Sequence, residues 1–181
     1  NLSDGSAPKF QSNHYSNNPA VNFQNNKYLV SPSFYSGEEM TVFSVFQLSS
    51  SWNNWAYVFG HGNRNNNWAL ERKSLNVSRA TIHLQTANDN NNVSFATQFS
   101  GPYMMVGRIK NRNERLLHLF SQSSGIQKVS HVGSNKITET EYFRIGYSSS
   151  GSEYSNIKMN EVIYFKEALT DEEIKKVSYY L

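Results

Sequence analysis

Short apolar runs separated by polar clusters make up most of this chain from Ala20 onward. The clusters are rich in Asn, Ser and Gly, which tolerate turn geometry, and short strands with turns at close intervals are typical of all-β sandwiches. The pattern therefore predicts an all-β fold with a single helix at its C-terminus. The predicted strands are 20–23, 27–30, 40–48, 56–60, 68–71, 79–86, 93–97, 103–109, 115–121, 126–129, 142–146 and 159–165.

The run 40–48 is apolar on both of its alternating faces. Because successive strand residues point to opposite faces, a strand of this kind is covered on two sides. We therefore expect it in the middle of a sheet. Its apolar residues are Met40, Val42, Phe46 and Leu48 on one face and Phe43 and Val45 on the other.

The pattern of the last 26 residues predicts a strand, a tight bend and a capped helix. The β-branched and aromatic run 162–165 favours a strand. Thr170 and Glu173 have the spacing of a capping box, in which each side chain satisfies a free amide of the first helical turn. Ile174, Val177 and Leu181 then fall on one helical stripe, which predicts an amphipathic helix.

A chain of 181 residues has the size of one domain. We interpret 1–19, which contains Pro8 and Pro19, as a lead-in segment packed on a single sandwich that spans 20–181. No apolar run approaches the ~20 residues that a membrane helix needs, so membrane insertion is not expected.

Charge and cysteine content narrow the classes of partner. The net charge is +3 but the chain has no block of like charges, so nucleic acid is not an expected partner. Without cysteine, a disulfide framework and a thiolate metal site are both excluded.

Three segments carry a resemblance to a known family. They are 19–29, which begins Pro-Ala-Val-Asn-Phe, the strand 40–46, and the closing stretch 135–174 with its Ile-Gly strand, serine-rich loop, final strand and helix. Together they resemble the concanavalin A-like lectin/glucanase superfamily, and within it the laminin-G-like domains of bacterial and viral surface proteins. The resemblance implies a jelly roll of two curved antiparallel sheets, and recognition of glycans in many members. It also implies a larger secreted, cell-surface or virion protein, such as a fibre or an adhesin.

Enzymatic activity is not expected. Glycoside hydrolysis needs two carboxylates flanking the scissile bond, and no predicted strand carries such a pair: Glu71 and Glu161 each stand alone. A polysaccharide lyase of alginate-lyase type remains the alternative, because 81–85 and 142–147 resemble its His-bearing and Tyr-bearing strands. The Arg-x-Glu-x-Arg strand of those enzymes is absent, however, and we interpret His83 as an outward strand residue.

The turn 86–92 offers oxygen ligands for calcium, with Asp89, Asn88 and Asn91 as candidates. A single carboxylate makes a weak calcium site. We therefore interpret this turn as a solvated loop and expect no cofactor, with calcium left as an alternative.

Glycan sites combine an aromatic face with amide, Arg or His groups that bond hydroxyls. The densest such mixture lies in 51–55 and 61–68, which we expect to form neighbouring loops, and a basic row on one strand face gives a second candidate for an acidic sugar. The sequence therefore predicts a non-catalytic domain that binds a glycan or glycosylated surface, with a structural spacer or protein-interaction module of the same fold as the alternative. The candidate ligand-binding residues from the two loops are Trp52, Asn53, Asn54, His61, Asn63, Arg64 and Asn66. The basic row consists of Arg108, Lys110 and Arg112, and its two arginines, Arg108 and Arg112, are further candidates.

Overall fold

The computed structural model describes residues 7–12, 18–24, 26–35, 38–48, 57–61, 68–72, 79–86, 93–98, 102–111, 113–121, 125–132, 140–147 and 154–181. Within them the chain forms thirteen strands and one helix. The elements are β1 (Lys9–Gln11), β2 (Ala20–Asn22), β3 (Leu29–Tyr35), β4 (Met40–Leu48), β5 (Tyr57–His61), β6 (Trp68–Arg72), β7 (Arg79–Thr86), β8 (Val93–Gln98), β9 (Pro102–Lys110), β10 (Glu114–Ser121), β11 (Gly125–Val132), β12 (Thr140–Ile145), β13 (Ile157–Phe165) and α1 (Asp171–Tyr180).

These strands form two antiparallel sheets. The described residues give one sheet of seven strands, in the order β1-β2-β13-β4-β9-β10-β11, and one of six, in the order β3-β12-β5-β6-β7-β8. Apolar side chains from both sheets meet in a common core. The predicted all-β sandwich with a short C-terminal helix is confirmed.

Strand β4 has the central position that its sequence predicts. It lies fourth among the seven strands and pairs with β13 on one side and β9 on the other. One of its faces enters the core between the sheets, while Phe43 on the opposite face belongs to a second apolar cluster. The residues of β4 in the core between the sheets are Met40, Val42, Phe46 and Leu48.

Two edge strands differ from the predicted pattern. β1 adds a short strand to β2 from within the lead-in segment, and its Phe10 is exposed, so no buried alternation marks it in the sequence. β3 runs on through Pro32 to Tyr35. It is an edge strand of its sheet, where a missing backbone donor is tolerated. At a shift in the β3–β12 register, the amide of Phe143 donates to Ser31 Oγ at 3.0 Å.

The helix begins with the predicted capping box. Thr170 donates its backbone N–H to the Glu173 carboxylate at 2.8 Å, and the Glu173 amide donates to Thr170 Oγ1 at 3.3 Å. Two amides at the start of the helix are thereby satisfied, and Ile174 is buried against the outer face of the seven-stranded sheet. The second apolar cluster, between this sheet and the helix, comprises Phe43, Val106, Leu116, Leu169 and Ile174.

Polar contacts fix the start of the helix to the same sheet. Asp171 accepts from Arg108 Nη1 at 3.1 Å and from Lys128 Nζ, and Arg108 also donates to the carbonyl of Leu169 at 2.8 Å. Thr41 Oγ1 accepts from the Leu169 amide at 2.9 Å and donates to the Glu167 carbonyl at 2.8 Å. The first residue of α1 and the residues just before it are therefore tied to β4, β9 and β11.

Asp171→Asn is expected to lower the free energy of unfolding at pH 7 by about 0.5–1 kcal/mol, the range of partly exposed ion pairs. The hydrogen bond from Lys128 lowers the pKa of Asp171, with the charges of Lys128 and Arg108 acting in the same direction and burial opposing them. A carboxyl group whose folded pKa is depressed stabilises above its unfolded pKa of ~3.9 and loses that contribution as the pH falls through the folded pKa. The difference between wild type and variant should therefore shrink from about pH 4 downward.

Urea unfolding at pH 7 and pH 2.5 measures this difference. Glu172→Gln is the matched control, because Glu172 lies in the same first turn but its ion pair is the exposed one with Lys176 at 3.4 Å. An equal loss of unfolding free energy in both variants at pH 7 would contradict a role for the ion pairs of Asp171 with Arg108 and Lys128. The interaction of a negative charge with the N-terminus of the helix would then explain the effect.

Candidate functional site

The sandwich has two ends, which we name after residues of β4 and β5. At the Leu48 end, Leu48 pairs with Ile157, and Ser155 donates from Oγ to the carbonyl of Tyr57 at 2.7 Å. The end of β4, the start of β5 and the start of β13 therefore lie together. At the His61 end, the paired residues His61 and Trp68 lie beside Thr86 of β7, since Thr86 pairs with Trp68.

The Leu48 end contains a cavity of about 190 Å³. Gln47 and Lys158, two of its lining residues, are directly paired on β4 and β13, which places their side chains on the same face of the sheet. Amide groups both donate and accept hydrogen bonds, which suits a ligand rich in hydroxyls. The lining residues are Gln24, Gln47, Leu48, Asn156, Ile157 and Lys158.

Three partly exposed tyrosine rings lie at the same end of the fold. The ring centroids of Tyr28 and Tyr147 are 4.9 Å apart, as are those of Tyr147 and Tyr154, and Tyr28 and Tyr154 are separated by 6.2 Å. Tyr147 and Tyr154 also form a backbone bridge. Burial raises the pKa of Tyr147, and the phenols of Tyr154 and Tyr28 add to the effect, so its hydroxyl is a protonated donor at neutral pH. We call these three residues the tyrosine trio.

The trio is joined to β5 through the backbone. Gly146 donates its N–H to the carbonyl of Val58 at 3.2 Å, and its own carbonyl accepts from the Ser155 amide at 3.0 Å. Ser155 is followed directly by Asn156, which lines the cavity. The strand ends that form the cavity therefore also support the trio.

Trp52, Asn53 and Asn54 lie outside the described residues. They belong to the segment 49–56, which connects Leu48 to Tyr57. Both connected residues are at the Leu48 end, and Leu48 lines the cavity. The described residues that flank this candidate group therefore lie at the Leu48 end.

The candidates Asn63, Arg64 and Asn66 also lie outside the described residues, in a segment that connects His61 to Trp68. This segment is attached at the opposite end of β5 from 49–56, about 13 Å away at the rise of an extended strand. The points at which the two segments join β5 are therefore at opposite ends of that strand, and the expectation that 51–55 and 61–68 lie on neighbouring loops stays a prediction. Asn88, Asp89 and Asn91, the calcium candidates, lie in a segment that connects Thr86 to Val93, again outside the described residues.

His61 is in the described part of the chain and is fully buried, not exposed for ligand contact as its polar surroundings in the sequence suggest. It lies at an inward position of β5, two residues after the core residue Phe59, and stacks on Trp68 at 6.0 Å. Trp68 stacks in turn on Tyr164 at 6.4 Å, and burial raises the pKa of Tyr164 to about 12. His61 is therefore part of an aromatic stack inside the sandwich.

Arg108 has a structural role instead of the predicted ligand contact. Alternation places it on the outer face of β9, as expected, but the start of α1 covers that face. Its side chain is only 15% exposed and contacts Asp171 and Leu169. Lys110 is exposed at the end of the strand, and Arg112 lies outside the described residues. The predicted basic row is therefore not a continuous ligand surface within the described part of the chain.

The described residues hold no group of three or more His, Cys, Asp or Glu side chains arranged to bind a metal. In the same part of the chain, the single helix is too short and too polar to cross a membrane.

The lining residues of the cavity and the tyrosine trio were not among the sequence candidates. Gln47 carried a signal, because it is a polar residue near the end of an otherwise apolar central strand. Tyr147 and Tyr154 carried another, because they flank a serine-rich segment. Gln24 and Asn156 resemble many other amides in this Asn-rich chain, and only the fold distinguishes them.

No protein-family model matches the chain, and no curated protein matches its sequence. Solved structures do match its fold. The fold is a concanavalin A-like jelly roll.

The enzymatically active domain of tailspike protein 2 from bacteriophage CBA120 is similar, with a TM-score of 0.69 and 14% identity, over 96% of this chain and 29% of that one. The botulinum neurotoxin serotype D ligand binding domain in complex with N-acetylneuraminic acid gives a TM-score of 0.63 and 13% identity. The match covers 97% of this chain and 47% of the toxin chain. The heptameric SAP-like pentraxin from Limulus polyphemus gives a TM-score of 0.57 and 14% identity, and the match covers 98% of this chain and 78% of the pentraxin chain. The chain thus spans less than half of the tailspike and toxin chains. Identities this low establish the fold alone.

Proposed function

We propose that this chain is a non-catalytic recognition domain that binds a glycan at the Leu48 end. The observation that carries the proposal is the cavity whose lining includes the amides Gln24, Gln47 and Asn156. A side-chain amide carries both donor and acceptor groups, and sugar hydroxyls can bond to both. Lys158 adds a positive charge to the lining.

The aromatic component of the site is proposed to come from 49–56, since Trp52, Asn53 and Asn54 belong to the segment that connects a lining residue, Leu48, to Tyr57. An indole face stacks on the apolar side of a sugar ring while amides bond its hydroxyls. Trp52 and the cavity therefore supply the two complementary halves of a glycan site.

The structural neighbours support recognition at the level of the fold. One of them is a toxin ligand binding domain in complex with N-acetylneuraminic acid, and another is a toxin binding domain in complex with SialylT. A tailspike enzymatic domain shares the fold as well, but no predicted strand of this chain carries the carboxylate pair that glycoside hydrolysis requires. We therefore assign binding and not cleavage.

The wider context is part of the same proposal. Because the tailspike and toxin neighbours are much longer than this chain, we infer a module of a larger protein on a virion or extracellular surface. The sequence resemblance favours a laminin-G-like module.

A glycan array followed by calorimetry tests the function. Gln47→Ala and Trp52→Ala are each expected to weaken binding of the strongest array glycan by about five- to ten-fold, as expected for the loss of one hydrogen bond or one aromatic contact. Gln127→Ala is the matched control, because Gln127 is an exposed amide on β11, three strands away from β4, and this variant should bind within two-fold of wild type.

Equal losses in Gln47→Ala and Gln127→Ala would contradict a site at the Leu48 end. A folded wild-type protein that gives no signal across the array would overturn glycan binding and favour a spacer or protein-interaction module. Thermal melting of each variant separates loss of binding from loss of structure.

A further inference from the structure

The tyrosine trio lies very near the cavity along the chain. Tyr154 precedes the lining residue Asn156 by two positions, which places their Cα atoms at most about 7 Å apart. Tyr28 follows the lining residue Gln24 by four positions, within about 14 Å. The same two segments, 24–28 and 154–158, therefore contribute to both features.

The trio lies between the protein interior and the solvent. Neither of the two hydrophobic clusters in the described part of the chain includes Tyr28, Tyr147 or Tyr154. All three rings are partly exposed. Each ring contacts the other two, with interplanar angles of 28°, 34° and 42°. The trio is thus a mutually supported aromatic surface beside a polar cavity.

The size of the cavity limits what it can hold. Pockets that enclose a whole drug-sized ligand have volumes of ~300 Å³ or more. At about 190 Å³, this cavity suits a single sugar ring. Any further unit of a glycan must then lie outside it, and the adjoining surface offers aromatic faces and phenol hydroxyls, which together suit a sugar.

We propose that the cavity and the tyrosine trio are two adjoining subsites, so that the domain recognises a glycan of at least two units. One unit occupies the cavity and contacts its amides, and the neighbouring unit contacts the trio. This inference rests on the proposed function and adds to it the length of the ligand.

Matched pairs of a monosaccharide and its oligosaccharide test the inference. N-acetylneuraminic acid is compared with sialyllactose, and galactose with lactose, by calorimetry on wild type, Tyr154→Ala and Tyr154→Phe. Wild type should bind the oligosaccharide of one pair about five-fold or more tightly than its monosaccharide. Tyr154→Ala should remove this advantage without weakening the monosaccharide, whereas Tyr154→Phe, which keeps the ring, should retain most of it.

A second readout needs no variant. In NMR spectra of wild-type protein with isotope-labelled tyrosine, the chemical shifts of the trio's rings should change when the oligosaccharide is added. They should not change when its monosaccharide is added. This measurement also decides the matter if Tyr154→Ala does not fold.

The possible failures are distinct. The two-subsite inference is overturned if the protein binds a monosaccharide and its oligosaccharide with equal affinity and neither sugar changes the NMR signals of the trio. Glycan binding itself would be unaffected by that result. Absence of binding to all four sugars, together with a silent array, overturns the proposed function and this inference with it.

Discussion

Phe43→Ala is expected to lower the free energy of unfolding by about 3–5 kcal/mol, the cost of removing a large side chain from a well-packed site. Phe43 is fully buried although it points away from the core between the sheets. Its ring meets Phe165 edge to face at 5.8 Å, and Leu169 and Ile174 belong to the same cluster. The variant would leave a cavity beneath the helix.

Urea unfolding followed by tryptophan fluorescence measures the change. Val45→Ala is the control, because Val45 lies on the same face of β4, two residues away, and is only partly buried. It should cost about 1 kcal/mol or less. Similar losses for the two variants would contradict a second apolar layer between helix and sheet.

Gly146→Ala is expected to destabilise the fold by about 2–5 kcal/mol. Gly146 has φ +80, a conformation that costs a residue with a side chain ~1–2 kcal/mol. A Cβ at this position would also lie 2.9 Å from Phe23 Cδ1 and 3.0 Å from the Lys27 carbonyl oxygen, which adds the ~1–3 kcal/mol of an overpacked site.

Asn111→Gly is the control for backbone strain. Asn111 also has a positive φ, 51, but it is exposed, so glycine should change the free energy of unfolding by less than about 0.5 kcal/mol. Both variants are measured by urea unfolding. A Gly146→Ala protein with wild-type stability would show that residue 146 is neither strained nor enclosed by Phe23.

The sequence predicts much of this fold because the relevant signals are local. Apolar residues on both faces of 40–48 correctly predict a central strand, and the spacing of Thr170 and Glu173 correctly predicts the capped helix. β1 escapes prediction because it is only three residues long and exposes Phe10. The extension of β3 through Pro32 depends on the strand being at an edge, which is a property of the sheet and not of the segment.

The site could be predicted only in part, because it depends on contacts between distant segments. Alternation correctly places Arg108 on the outer face of β9, but not under Asp171, which follows it by 63 residues. His61 occurs among polar residues in the sequence, yet the register of β5 directs it inward. The cavity combines Gln24, Gln47 and Asn156, which become neighbours only when β2 and β4 pair with the two sides of β13.

The bond from Ser155 Oγ to the carbonyl of Tyr57 is buried and joins the residues just before β13 to β5, a strand of the other sheet. This cross-link holds the strand ends of the proposed site together before any ligand arrives. If a glycan binds there, we expect little ordering of the backbone on association, so that the described residues of the free and bound forms superpose closely.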